Sequence, residues 1–239
     1  HLQEYTVSEK QIVCTGLPRD DQFYRPYDSI NKLVPDFHKY NKIIIWTPTF
    51  RQHINGYRVD VSSEYPFGLP FFKSNSELDE LEKILNSKNI LLLIKPHPVQ
   101  DLKNMNIGFR KNIKIIKAED LTKFSIQINE LLSQTDAMIT DYSSIYYDYL
   151  FVNKPIAITL DDYNKYQDEK GFVFDNPLDV LKGVFIYNLE NLFSFITDVS
   201  NNKDQLLDDR IELQKKINDY DDGKSSERVY KFILSKLED

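Results

Sequence analysis

"DAMITDYSSIYYDYLFVNKPIAITL", residues 136–160, reads as strand, polar turn, helix and strand in direct succession. Ala137 to Thr140 is a short apolar run of the kind that fills a buried strand, and Ser143 to Val152 has the spacing of a helix. Pro155 to Leu160 is β-branched again. Two such strands joined through a helix run parallel, because a parallel crossover needs about a dozen residues or more. The turn Thr140-Asp141-Tyr142-Ser143-Ser144 therefore falls where the first strand ends and the helix begins. Open α/β sheets bind ligands at that edge.

The same rhythm extends outward. Lys42 to Trp46, Ile90 to Ile94 and Ile113 to Ile116 read as strands. A helix opens near Ser74 or Ser76, with Leu78, Leu81, Ile84 and Leu85 at helical spacing, and Ile126 to Leu132 reads as another. Helical periodicity returns over Leu192 to Val199, Asp204 to Ile217 and Ser225 to Leu237. The aromatic stretch Phe50 to Phe72, punctuated by Gly and Pro, reads as a long loop. The fold class this predicts is α/β: a Rossmann-like parallel sheet with helices on both faces. One domain over residues 1–239 is expected, with the helices of residues 200–239 packed on it.

A net charge of -7 argues against the broad basic footprint of a nucleic-acid binder, so no nucleic acid is expected as partner. Cys14, the single cysteine, excludes an intrachain disulfide and reads as a small buried apolar residue beside Val13. His1, His38, His53 and His97 show no ligand spacing, and Asp20-Asp21, Asp161-Asp162 and Asp221-Asp222 read as loop solvation, so neither metal nor cofactor is expected. No apolar run reaches the ~20 residues of a membrane span.

Four polar clusters follow predicted strands: Thr47-Pro48-Thr49-Phe50-Arg51, Lys95-Pro96-His97-Pro98, Thr140 to Ser144, and the loop starting at Asp161. Two prolines stiffen the backbone around His97, which with Lys95 suits a phosphate oxygen; turning the chain is the plainer role for the same residues. Ser143 and Ser144 stand where hydroxyls and helix amides can face an anion, while Asp141 or Ser143 capping the helix is equally compatible. Arg19 in Thr15 to Asp21 and Arg51 are candidate phosphate partners or surface ion pairs. Asp222 to Arg228 introduces the last helix, where Ser225, Glu227 and Arg228 either close over a ligand or form a capped amphipathic start. P-loop, Gly-x-Gly-x-x-Gly and Gly-x-Ser-x-Gly signatures are absent.

The ordered set "TGLPRDD" (15–21), "IIIWTPTFR" (43–51), "LLLIKPHP" (91–98), "DAMITDYSSIYYDYLFVNKPI" (136–156) and "DDGKSSERV" (221–229) resembles the C-terminal, nucleotide-binding half of the CDP-glycerol glycerophosphotransferase family. That resemblance implies half of a GT-B-like architecture and transfer of glycerol or ribitol phosphate from CDP-glycerol or CDP-ribitol to a hydroxyl on a lipid-linked polymer acceptor. It implies a cytoplasmic protein peripheral to the bacterial membrane. His97 becomes the expected catalytic residue at the donor diphosphate, shared with Arg51, Ser143 and Ser144, and Asp141 holds the remainder of the nucleotide. The expected donor set is completed by Arg19, Thr49, Lys95, Pro98, Thr140, Tyr142, Asp148, Ser226 and Arg228. The family's N-terminal half, with its Trp-His-Gly type motif and expected base, has no counterpart here, so this chain alone is expected to be inactive. A GT-B glycosyltransferase using a CMP-sialic-acid-like donor and a non-catalytic nucleotide-binding domain are the alternatives.

Overall fold

The computed structural model describes residues 8–49, 65–97, 105, 107–163 and 177–237. Among these residues six strands form one parallel sheet: β1 Lys42–Thr47, β2 Ile90–Ile94, β3 Ile113–Ile115, β4 Ala137–Thr140, β5 Ile156–Thr159 and β6 Val184–Ile186. Their spatial order is β3-β2-β1-β4-β5-β6. The chain thus builds outward from β1 in one direction, then returns to add β4 on its other side. The resulting switch point lies between β1 and β4, where Thr47 is registered against Thr140.

The helices are α1 Ser29–Leu33, α2 Asn75–Ser87, α3 Ala118–Lys123, α4 Ile128–Leu132, α5 Ile145–Tyr149, α6 Pro177–Val180, α7 Leu189–Ser200, α8 Leu207–Ile217 and α9 Ser225–Leu237. Alternation along each strand divides the core between the two faces of the sheet. Ile44, Trp46, Leu92, Ile94 and Ile139 face Leu78, Leu81 and Leu85 of α2 and Leu192, Phe195, Ile196 and Val199 of α7. Ile43, Ile45, Leu91, Leu93, Met138 and Ile158 face Leu131 and Leu132 of α4, Tyr146 and Tyr149 of α5, and Leu213 of α8. Each of these side chains stabilises the fold by roughly 1.5–3 kcal/mol on burial.

Local chemistry sets the ends of these elements. Ser74 caps α2 in a capping box, accepting from the Glu77 amide while Glu77 accepts from the Ser74 amide. β1 stops before Pro48 and β2 before Lys95-Pro96, since proline lacks the donor that would continue a ladder. The helix expected over Ser143 to Val152 is the α-helix α5 followed by a 3-10 turn, Leu150–Val152. The described part of the aromatic loop folds inward: Leu69 and Phe72 are fully buried, with Phe72 tilted against Trp46. Among the described residues no helix is long and apolar enough to cross a membrane.

Two expectations are corrected by burial. Cys14 is exposed and its thiol donates to Asp219, a contact that, with burial, pushes the thiol pKa up. Asp20 and Asp21 are buried rather than solvated, because the 3-10 turn Pro18–Tyr24 packs them between α4 and α9.

Candidate functional site

Thr47, Thr140 and Thr159 end β1, β4 and β5 and stitch those ends together. Thr140 Oγ1 donates to the Thr47 carbonyl at 3.3 Å, and Thr159 Oγ1 to the Thr140 carbonyl at 3.3 Å. Thr140 is fully buried, so its hydroxyl serves the strand ends rather than the crevice. One residue on, Asp141 is also fully buried, and its Oδ2 accepts from the Thr49 amide at 2.7 Å and the Thr49 hydroxyl at 2.6 Å. This pair of bonds ties the turn after β4 to the loop after β1, directly across the switch point. Asp141 and Thr49, both expected at the donor, form this lock.

The N-cap position of α5 is Ser144, rather than Asp141 or Ser143 as the sequence suggested. Ser144, the N-cap residue, has helical backbone angles and no side-chain capping bond. The Tyr146 and Tyr147 amides close short turns onto the carbonyls of Ser143 and Ser144, at 3.1 and 3.0 Å. These turns engage the Tyr146 and Tyr147 amides. Ser144 is exposed and Ser143 half-buried. Tyr142 is half-buried against Tyr163 from the β5 loop, ring centroids 6.2 Å apart.

Lys95 follows β2 on the far side of β1. Its amide donates to the Trp46 carbonyl at 2.8 Å, fixing the backbone, while burial alone pushes the side-chain pKa down. No described residue supplies a counter-charge to this half-buried ammonium. Two residues later, His97 is exposed on the same edge. Strands β2 and β4 flank β1, so two strand spacings put Lys95 about 10 Å from the β4 turn. Lys95 and His97 after β2, and Ser143 and Ser144 after β4, thus lie on the same sheet edge on either side of β1. Arg51 and Pro98 lie outside the described residues.

Of the remaining expected donor residues, Arg19 and Asp148 pair with each other, while Ser226 and Arg228 bind other groups of the chain. Arg19 donates from Nε and Nη2 to one oxygen of Asp148, at 3.2 and 2.8 Å. That contact raises the arginine pKa, while burial outweighs the pairing and raises that of Asp148. At α9, the amides of Ser225 and Ser226 donate to Asp21 at 2.7 and 2.8 Å, so an internal carboxylate already fills the helix N-terminus where a phosphate was expected. Burial pushes the Asp21 pKa up, but the amides and hydroxyls of Ser226 and Ser225 outweigh it and hold it down. Arg228 donates to the Thr15 carbonyl at 2.8 Å, pairs with both oxygens of Asp222 and lies 3.7 Å over the Tyr220 ring. The sequence singles out Arg19, Asp148, Ser225, Ser226 and Arg228 of this cluster, whereas Asp21 and Asp222 read as loop solvation and Tyr220 carries no signal, because their roles need distant elements beside them. Among the described residues no cluster of ligands fits a metal ion.

Comparison with known proteins gives this geometry a context. The chain is 28% identical over 235 residues to the teichoic acid glycerol-phosphate primase of Bacillus subtilis, covering 97% of this chain and 53% of the relative. It is 30% identical over 239 residues to the teichoic acid poly(ribitol-phosphate) polymerase of Bacillus spizizenii, covering 98% of this chain and 35% of that one. The chain thus spans between about a third and a half of these relatives. Among solved structures, a variant of the wall teichoic acid polymerase TagF superposes with a TM-score of 0.67 at 22% identity, over 98% of this chain and 55% of that one. A TagF structure soaked with CDPG superposes equally well, with a TM-score of 0.67 at 20% identity over 98% and 52% of the two chains. These structures share the fold. Residues 2–235 match the family model for CDP-Glycerol:Poly(glycerophosphate) glycerophosphotransferase, and the chain belongs to that family.

Proposed function

We propose that this chain is the donor-nucleotide half of a transferase that moves glycerol or ribitol phosphate from a CDP-activated donor to a hydroxyl of a membrane-linked polymer, releasing CMP. The observation that carries this reading is Lys95, a half-buried ammonium with no counter-charge among the described residues, on the same sheet edge as His97, Ser143 and Ser144. A bound diphosphate completes that set. Family membership supports cytidine as its nucleoside, and the names of the relatives supply both polyols.

In the reaction the acceptor oxygen attacks the phosphorus that bears the polyol. A new P–O bond forms, the bond to CMP breaks, and its electron pair leaves on the CMP phosphate. The acceptor proton goes to a base, which the family resemblance assigns to the half outside this chain. Lys95, His97 and the two serine hydroxyls are donors aimed at the leaving phosphate, where charge grows in the transition state. Fixed donors at such a position lower a barrier by electrostatic preorganisation. The Asp141–Thr49 lock contributes by holding the loop after β1 in place while the anion binds. The acceptor implies work at the inner face of the membrane, from the cytoplasmic side.

Calorimetric titration with CDP-glycerol, CDP-ribitol, CMP-sialic acid and UDP tests the assignment. Binding of one CDP-polyol with at least tenfold preference over the other ligands is expected. Preferential binding of CMP-sialic acid contradicts it and favours a glycosyltransferase.

A further inference from the structure

The segment Thr15–Tyr24 is a strap between two parts of the fold that the sheet does not join. At one end Asp21 holds the first amides of α9, and Arg228 of that helix donates to the Thr15 carbonyl. Toward the other, Arg19 grips Asp148 on α5, the Arg19 carbonyl accepts from Asn129 of α4, and Phe23 stacks on Phe151 at 5.7 Å. Between these anchors lies Asp20. It is 5% exposed, and its buried Oδ1 makes no hydrogen bond. Among the described residues the nearest cation, Arg19 Nε, stands 4.0 Å away and is already committed to Asp148. One guanidinium thus serves two buried carboxylates, with Asp21 as a third beside them.

We propose that Asp20 is a proton-operated latch: neutral, it lets the strap bind α9 to α5 tightly, and ionised, it loosens the strap through repulsion from Asp148 and Asp21. Among the described residues the charged and titratable neighbours are few. On the strap itself they are Arg19 and Asp21, and on α5 Asp148. From α9, Arg228 faces Asp21 while engaged with Asp222. On α4, Glu130 turns away to accept from Ser29, and Asn129 carries no charge. The 3-10 turn Leu150–Val152 is apolar. Burial first, then Asp148, pushes the Asp20 pKa up to about 6, against the opposing pull of Arg19. The closed strap therefore binds a proton more tightly than the open one. Its stability is greatest at acid pH and falls as Asp20 ionises through pH 6.

Hydrogen exchange of peptides covering residues 15–24 and 221–230, corrected for intrinsic rates, reads the latch directly. Between pH 5 and pH 8, protection in the wild type is expected to fall about tenfold, as a carboxyl moving from about 4 to about 6 on closure requires. Asp20→Asn keeps the charge off at every pH, so its protection should stay flat at the acid level. Wild-type protection that does not change with pH, or an Asp20→Asn variant that retains the fall, overturns the proposal. Should that variant not fold, carbon-13 titration of the wild-type Asp20 carboxyl decides: a midpoint near 6 upholds the latch, and one near 4 removes it.

Discussion

Gly16→Ala tests whether the Thr15–Tyr24 strap meets α9 as closely as the structure has it. Gly16 sits at φ +74, where a side chain strains the backbone by about 1–2 kcal/mol. An added Cβ would also collide with Ser225 Oγ and stand 3.3 Å from Ser225 Cβ. Ser225 is buried and its amide is held by Asp21, so its hydroxyl must rotate away from its 3.3 Å contact with Arg228. Losing that contact adds about 1 kcal/mol. The total is about 2–3 kcal/mol. Gly108→Ala is the internal control, because Gly108 has nearly the same backbone, φ +69, with nothing within 4 Å of its added Cβ. It should lose the backbone component alone. Urea unfolding of both variants, compared at equal m-values, measures the difference. Equal losses would refute the close approach of the strap to α9.

Three substitutions probe the crevice. Lys95→Met removes an ammonium whose burial lowers its pKa, so stability in urea should hold or rise by up to about 1 kcal/mol while CDP affinity by calorimetry falls at least about tenfold. Ser144→Ala alters an exposed residue that caps nothing; its unfolding midpoint should stay within about 0.5 kcal/mol of wild type, with CDP affinity reduced several-fold. Asp141→Ala leaves the Thr49 amide and hydroxyl without their acceptor and should destabilise by about 2–3 kcal/mol, measured by thermal unfolding.

The sheet was legible because parallel strands buried on both faces are written as continuous apolar runs: Lys42 to Trp46, Ile90 to Ile94, Ile113 to Ile116, Ala137 to Thr140 and Pro155 to Leu160 all lie in strands or at their ends. The edge strand β6 escaped notice. It is three residues long, and Val184 is exposed, so it lacks the run that marks a central strand. Helix α3, Ala118–Lys123, was equally silent because none of its residues is buried and it carries no apolar stripe. The convergence of four polar clusters on one sheet edge followed from strand direction alone. Long-range pairing did not. Asp20-Asp21 looks like a solvated loop until α9 and α5 close around it, and Thr15 to Asp21 and Asp221 to Arg228 read as two phosphate motifs although they bind each other. Residue type announces that a group is polar; which partner satisfies it depends on elements about 130 to 200 residues away.

We propose that the edge carrying Lys95, His97, Ser143 and Ser144 holds the diphosphate of a cytidine donor. Calorimetric affinity for CDP in the wild type and in His97→Ala tests it most directly, because His97 is exposed and its replacement should leave the core intact. A loss of about tenfold or more, with an unchanged unfolding midpoint, is the predicted result. A folded His97→Ala variant that binds CDP as tightly as the wild type would contradict the account.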